Sequence, residues 1–285
     1  MITLYEPAYA KLNLTLDVLG KRADGYHDLK SVMQTVSVQD DIQIDLGTGK
    51  PWELSCSDPE IPTDGRNHAW KAAKVFFDTA GIDPEGIKIT ITKRIPSQAG
   101  MGGGSADAAA VLRTLNRHFG TPFSDVTLAE LGAQVGSDVP FCVLGGTMMA
   151  EGRGELLRKL PNMPDCIFVI CKPDFSASTP ELYRKLDGSA IVRHPDNLAM
   201  ENALQTGYIG MVAGNVFNVF DPLVSAEHPE VDHIKSVCDR CGSLVQQMTG
   251  SGSAVFAIMP DLESAELAYS MLKKTYLQVF IAKPV

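Results

Sequence analysis

Four glycines fall within five positions, Gly100 to Gly104, in the run Ile95-Pro96-Ser97-Gln98-Ala99-Gly100-Met101-Gly102-Gly103-Gly104-Ser105-Ala106-Asp107-Ala108-Ala109-Ala110. The alternating residues Ile87 to Lys93 predict a half-buried strand before it, and the alanine-rich segment from Ser105 through Leu115 predicts a helix after it. Glycine lets a backbone come close to a ligand and adopt positive φ without a Cβ clash. A helix start adds unpaired N–H groups and a partial charge of about +0.5. Strand, glycine loop and helix start together form an anion cradle, and the usual anion is phosphate. A bare glycine linker would not abut both a clean strand and a clean helix.

Two charged residues have the chemistry to act on a phosphate held there. Lys11 sits in Ala8-Tyr9-Ala10-Lys11-Leu12-Asn13, which is otherwise short of charge. It is either a solvated lysine or a cation that neutralises phosphate and keeps a carboxylate ionised. Asp138, in Gly136-Ser137-Asp138-Val139-Pro140-Phe141, stands at the mouth of an apolar segment. It is either a turn or cap aspartate or a functional carboxylate. A phosphate loop, a lysine and a half-buried carboxylate are the parts needed for phosphoryl transfer to a hydroxyl.

Tyr26-His27, after the Asp24-Gly25 turn, reads as a surface turn or as an aromatic platform with a polar edge for a planar ring. Tyr183 carries the same platform reading beside the plainer one of core packing. Thr249-Gly250-Ser251-Gly252-Ser253 is either a bulged hairpin or a second loop for an anion or for close backbone approach. The commoner owners of phosphate loops are excluded by pattern. No G-x-x-x-x-G-K-[ST] occurs, the spacing over Gly100–Gly104 does not give G-x-G-x-x-G, and the H-R-D set of protein kinases is missing.

The elements that position these residues follow from periodicity. Ala10 to Leu19 reads as one strand, with Leu12, Leu14, Leu16 and Val18 on one face and Lys11, Asn13, Thr15 and Asp17 on the other. Leu29 to Val38 and Asp41 to Leu46 read as two further strands, Asn67 to Ala80 as a helix stopped by Gly81, and Thr127 to Val135 as a short helix. Past Pro161 to Pro164, read as the linker, come a strand over Cys166 to Cys171 and a helix start at Ser178-Thr179-Pro180-Glu181. The last third alternates helix over Pro229 to Arg240, strands over Leu244 to Met248 and Ala254 to Met259, helix over Leu262 to Lys274, and strand over Leu277 to Ala282. The expected class is α+β in two domains, residues 1–160 and 161–285.

At 285 residues the chain can bury a sizeable core. A net charge of −9 argues against a nucleic-acid or anionic-membrane partner, which wants a basic face. No apolar run is long enough to span a membrane, and the start lacks signal-peptide character. Six scattered cysteines, with only Cys238 and Cys241 at ligand spacing, read as reduced structural thiols of a cytoplasmic protein. Oligomeric state is not encoded legibly.

The segment Pro96 to Ala110 resembles the P-x-x-x-G-x-G-G-G-S-[SA]-D-A-A loop of the GHMP kinases. The likeness extends through Ala10-Lys11-Leu12-Asn13-Leu14, Arg22-Ala23-Asp24-Gly25-Tyr26-His27, Gly136 to Phe141, Glu151-Gly152-Arg153-Gly154 and Thr249-Gly250-Ser251-Gly252. It implies an N-terminal ribosomal-protein-like α/β domain and a C-terminal ferredoxin-like α+β domain. It implies ATP, with Mg2+, at Pro96, Ala99, Gly100, Met101, Gly102, Gly103, Gly104 and Ser105, with Ser105 the candidate metal contact. The family's catalytic lysine and aspartate fall on Lys11 and Asp138. The match at Lys11 to Leu14 with Asp24 to His27 implies a small-molecule acceptor bearing a cytidine diphosphate group, bound by Asn13, Tyr26, His27 and Tyr183. Kinases of the homoserine or mevalonate type, and non-catalytic nucleotide-binding members of the fold, are the alternatives.

Overall fold

The computed structural model describes residues 1–188, 191 and 193–285. In chain order its elements are β1 (Ile2–Asn13), β2 (Thr15–Lys21), β3 (His27–Leu46), β4 (Glu53–Cys56), α1 (His68–Ala80), β5 (Ile87–Thr92), α2 (Gly103–His118), α3 (Asp125–Ala133) and α4 (Val139–Leu144). There follow β6 (Thr147–Gly152), β7 (Leu156–Lys159), β8 (Ile167–Lys172), α5 (Thr179–Asp187), α6 (Asn197–Thr206), α7 (Ile209–Ala213), β9 (Phe217–Asn218) and α8 (Asp221–Ser225). The chain closes with α9 (Pro229–Arg240), β10 (Val245–Met248), β11 (Val255–Met259), α10 (Leu262–Leu272) and β12 (Gln278–Ala282).

Two compact units emerge, neither continuous in sequence. The first comprises Met1–Ala10, Val38–Ile95 and Gly102–Gly145. Within it, Asp41–Leu46 of β3 pairs antiparallel with β5, and β4 pairs parallel with β5. Ile42, Ile44, Ile87, Ile89 and Ile91 are buried, as their alternation requires. Helix α1 starts because the Asn67 side chain accepts the Ala69 N–H, and it stops at Gly81 in the left-handed conformation. It packs along α2, whose alanines allow close approach.

The second unit comprises Lys11–Ser37, Pro96–Met101 and Gly146–Val285. The first half of β3 pairs with β2 and β6, β6 pairs with β7, and β2 runs parallel to β9. A separate four-stranded sheet has the order β10-β11-β8-β12, with every neighbouring pair antiparallel. Helix α9 precedes β10 and α10 joins β11 to β12, which is the split βαβ order of a ferredoxin-like fold. Val231, Ile234 and Val237 of α9 and Ala265, Ala268 and Leu272 of α10 cover Val169, Cys171, Val255 and Ala257 of the sheet. Leu16 and Val18 of β2 belong to the same core.

Several expectations need correction. The strand over Ala10 to Leu19 is two strands divided at Leu14, and both of its faces are buried, the polar one included: Lys11, Asn13, Thr15 and Asp17 are all buried. Side-chain partners make that possible, since Asn13 Nδ2 donates to Ser31 Oγ (2.8 Å) and Thr15 Oγ1 to Asn197 Oδ1 (2.6 Å). The separate strands at Leu29 and Asp41 are one strand of 20 residues. Helix α2 begins at Gly103 rather than Ser105, and the segment after Asp138 is the helix α4.

Candidate functional site

The glycine loop is held by its own backbone. In the second unit, the Lys11 N–H donates to the Met101 carbonyl (3.0 Å) and the Ala254 N–H to the Ala99 carbonyl (3.2 Å). Gly100 has φ +73°, and the Thr249 carbonyl oxygen occupies the space a Cβ would need. The glycine is therefore required twice, for its torsion and for its missing side chain. Pro96, Ala99 and Met101 are buried supports. The second glycine-rich loop, Thr249 to Ser253, is both a hairpin, joining the antiparallel β10 and β11 with Met248 opposite Val255, and a loop of close backbone approach to Gly100.

In the first unit, Gly102 (φ +71°) is the residue before α2, and no side chain caps the helix. The first-turn amides of Gly103, Gly104 and Ser105 face no side-chain cap, and no acidic residue stands in that turn. Below them lies a cluster that sequence reading did not single out. Lys93 Nζ donates to Asp40 Oδ2 (2.5 Å) and Asp107 Oδ2 (2.8 Å), and Asp40 Oδ1 also takes the Ile95 N–H (2.8 Å). Burial works to lower the Lys93 pKa, but Asp107 and Asp40 outweigh it and raise the value. Burial pushes the Asp107 carboxyl up to about 7 against the pull of Lys93, and its Oδ1 has no hydrogen-bond partner. A Cβ on Gly103 would stand 3.2 Å from Lys93 Nζ, so the cluster lies directly under the loop.

His68, at the start of α1, was also missed. Its Nδ1 is buried without a partner, 3.5 Å from where a Cβ on Gly104 would stand, and its Cε1 is 3.5 Å from the corresponding point on Gly136. Burial, and then Lys71, lower its pKa. The signal was helical spacing: His68, Ala72 and Phe76 share one face, and the latter two are core.

Lys11 is 4% exposed, which removes the solvated reading, and its Nζ donates to Asn13 Oδ1 (2.7 Å). The Asn13 N–H donates to Thr249 Oγ1 (2.9 Å). Asp138 is half-buried at the residue before α4 but its side chain does not cap that helix. Lys11 belongs to the second unit and Asp138 to the first.

The aromatic residues gather within the second unit. The His27 and Tyr183 rings stack at 4.5 Å with a 20° tilt, and Tyr183 meets Phe220 edge-on at 5.1 Å. Tyr183 packs partly against the core, the plainer of its two readings, and stacks on His27. Tyr26 is 57% exposed, with the Arg153 guanidinium 5.2 Å from its ring centroid. Asn218, fully buried, donates from Nδ2 to the Met248 and Gly250 carbonyls (both 2.8 Å) and so fixes the start of the second glycine loop.

A glycine-rich helix entry in one unit and a ferredoxin-like sheet in the other define a recognisable class. Residues 67–146 match the GHMP kinases N terminal domain and residues 199–278 the GHMP kinases C terminal domain. The 4-diphosphocytidyl-2-C-methyl-D-erythritol kinase of Clostridium beijerinckii is 41% identical over 98% of this chain and 99% of its own. That of Caldicellulosiruptor saccharolyticus is 43% identical over 93% and 91%. The crystal structure of a 4-(cytidine 5'-diphospho)-2C-methyl-D-erythritol kinase superposes with a TM-score of 0.81 at 30% identity, covering 99% of each chain. A homoserine kinase from Cytophaga hutchinsonii (TM-score 0.72, 19% identity, 99% of this chain and 93% of its own) shares the fold. The chain belongs to the GHMP kinases, and within them to the family of the 4-diphosphocytidyl-2-C-methyl-D-erythritol kinases.

Proposed function

We propose that the chain transfers the γ-phosphoryl group of ATP to the 2-hydroxyl of 4-diphosphocytidyl-2-C-methyl-D-erythritol, a step of the non-mevalonate route to isoprenoid precursors. The observation that carries this is the 41% identity with a kinase of that name along almost the whole of both chains. The backbone amides of Gly100 and of Gly102 to Ser105 take the nucleotide phosphates, and Pro96, Ala99 and Met101 support that binding by holding the loop in shape. Asp138 accepts the hydroxyl proton, and Lys11, anchored on Asn13, stabilises the charge developing on the phosphoryl oxygens. Tyr26, His27, Asn13 and Tyr183 bind the cytidine end, so that remote binding energy positions the hydroxyl.

Ser105 presents a hydroxyl oxygen on the first turn of α2, the hard donor magnesium takes, and among the described residues no group of three His, Cys, Asp or Glu is arranged for a metal. That donor set fits a Mg2+ brought in on the nucleotide phosphates, where it would neutralise oxygen charge, with Ser105 as the protein contact. Residues 1–160 and 161–285 are proposed as the N- and C-terminal domains of the family; the matches over 67–146 and 199–278 support that border. No described helix is long and apolar enough to cross a membrane, all six cysteines are free, and we propose the cytoplasm as the compartment. A coupled ADP-release assay tests the activity. Turnover with the cytidine-bearing alcohol and none with homoserine or mevalonate is the expected result.

A further inference from the structure

Asp187 stands at the end of α5, one turn after Tyr183, and its two oxygens are divided between two donors. Oδ1 lies 2.7 Å from His27 Nε2 and Oδ2 2.9 Å from Lys21 Nζ. The His27 bond is the first cause, and the Lys21 bond the second, of a carboxyl held below its usual range. An ionised carboxylate only accepts hydrogen bonds, so the proton of this pair sits on Nε2. In the neutral ring Nδ1 is then left with a lone pair. Tyr183 stacked on the ring limits its rotation, so that lone pair has a fixed direction.

We infer that Asp187 is a positioning residue that sets base specificity through His27: it fixes the Nε2–H tautomer, and Nδ1 accepts from the exocyclic amino group of cytosine. Cytosine carries an amino donor at ring position 4, whereas uracil carries a carbonyl acceptor there. An acceptor-only Nδ1 pairs with the first and opposes the second. A site that leaves polar groups unpaired against the wrong ligand discriminates better than one relying on shape. The inference rests on the proposed cytidine-bearing substrate, and it adds a residue that touches no part of that substrate. Asp187 lies on the surface, so replacing it leaves no buried charge stranded.

The test has two arms on the full chain. Nitrogen-15 NMR of the histidine rings reads the tautomer without turnover. The expected result is a protonated Nε2 and a bare Nδ1 for His27, giving way in Asp187→Ala to a mixture of tautomers, with Asp187→Glu restoring the first state. Kinetics with cytidine- and uridine-diphosphate forms of the same alcohol read the consequence. In Asp187→Ala the ratio of kcat/KM for the two falls by about tenfold, most of it in KM. A proton on Nδ1 in the neutral wild-type ring, or an unchanged tautomer in Asp187→Ala, overturns the inference, as does an unchanged ratio. If the wild type phosphorylates neither alcohol, the assigned activity fails, and the NMR arm still decides the role of Asp187.

Discussion

The Thr249 carbonyl oxygen stands where a side chain on Gly100 would begin, so two glycine-rich loops, distant in sequence, share one tight contact within the second unit. Gly100→Ala must either push the Thr249 carbonyl aside or open the loop, and it carries the further strain of a positive φ. We expect a loss of about 1–3 kcal/mol in unfolding free energy by urea titration, together with a raised KM for ATP. Gly146, also at positive φ but with nothing within 4 Å of its absent Cβ, is the control. Gly146→Ala should cost only the torsional share.

Asp138→Asn keeps the size and polarity of the side chain while removing its basicity. The expected outcome in steady-state kinetics is a fall in kcat of about 10²–10⁴-fold with KM for the alcohol little changed. A near-wild-type kcat would show that Asp138 is not the base.

The Asp40–Lys93–Asp107 cluster gives a pH signature. Asp107 is raised from about 3.9, its unfolded value, to about 7 when folded. A carboxyl raised on folding contributes stability that is fully present below the unfolded value and is lost as pH rises through the folded one. The stability of the wild type relative to Asp107→Asn should therefore decline between about pH 4 and pH 7 and level off above. Urea midpoints of both proteins at intervals over that window measure it, and parallel curves would count against the assignment.

His68→Leu removes a ring nitrogen that is buried without a partner. Because the cost of an unmet hydrogen bond disappears with it, stability at pH 7 should be unchanged or higher by about 1 kcal/mol. His68 has its pKa lowered on folding, so the stability it contributes is present above about 6.5 and fades as pH falls further. The leucine variant should lack that fade. A clearly less stable leucine variant would mean that the ring is held by more than packing.

Asn218→Ala leaves the Met248 and Gly250 carbonyls and the Phe220 N–H without their side-chain partner in a fully buried position. A loss of about 1–3 kcal/mol is expected, visible as a lower thermal midpoint.

Local pattern was a good guide wherever one face of an element meets the core. The limits of α1, β5, β11, α9 and β12 follow from periodicity and from caps such as Asn67 and Gly81. It failed where long-range partners decide burial. The alternation from Lys11 to Asp17 separates a polar from an apolar face, but nothing in it reveals that the polar face is buried and that Ser31, Asn197 and Thr249 supply hydrogen bonds to it. Asp40 looked like a break between two strands, yet its carboxylate is consumed by Lys93 and by two backbone amides, so the strand continues through it. The glycine loop, Lys11, Asp138 and Tyr26-His27 could be singled out as candidates from residue type. Lys93, Asp107, His68 and Asp187 could not, because each matters through a neighbour that only folding supplies.

Strand β2 lies early in the chain, yet Leu16 and Val18 help close the core around the ferredoxin-like sheet, and Thr15 and Leu16 pair with Phe217 and Asn218 of β9. The carboxy-terminal half is consequently not a portable module. Severed near residue 160, it would show a bare strand edge and an uncovered apolar patch, both prone to self-association. Gene rearrangements or expression fragments cut at that border should yield insoluble product, whereas adding the early hairpin back in trans should rescue solubility.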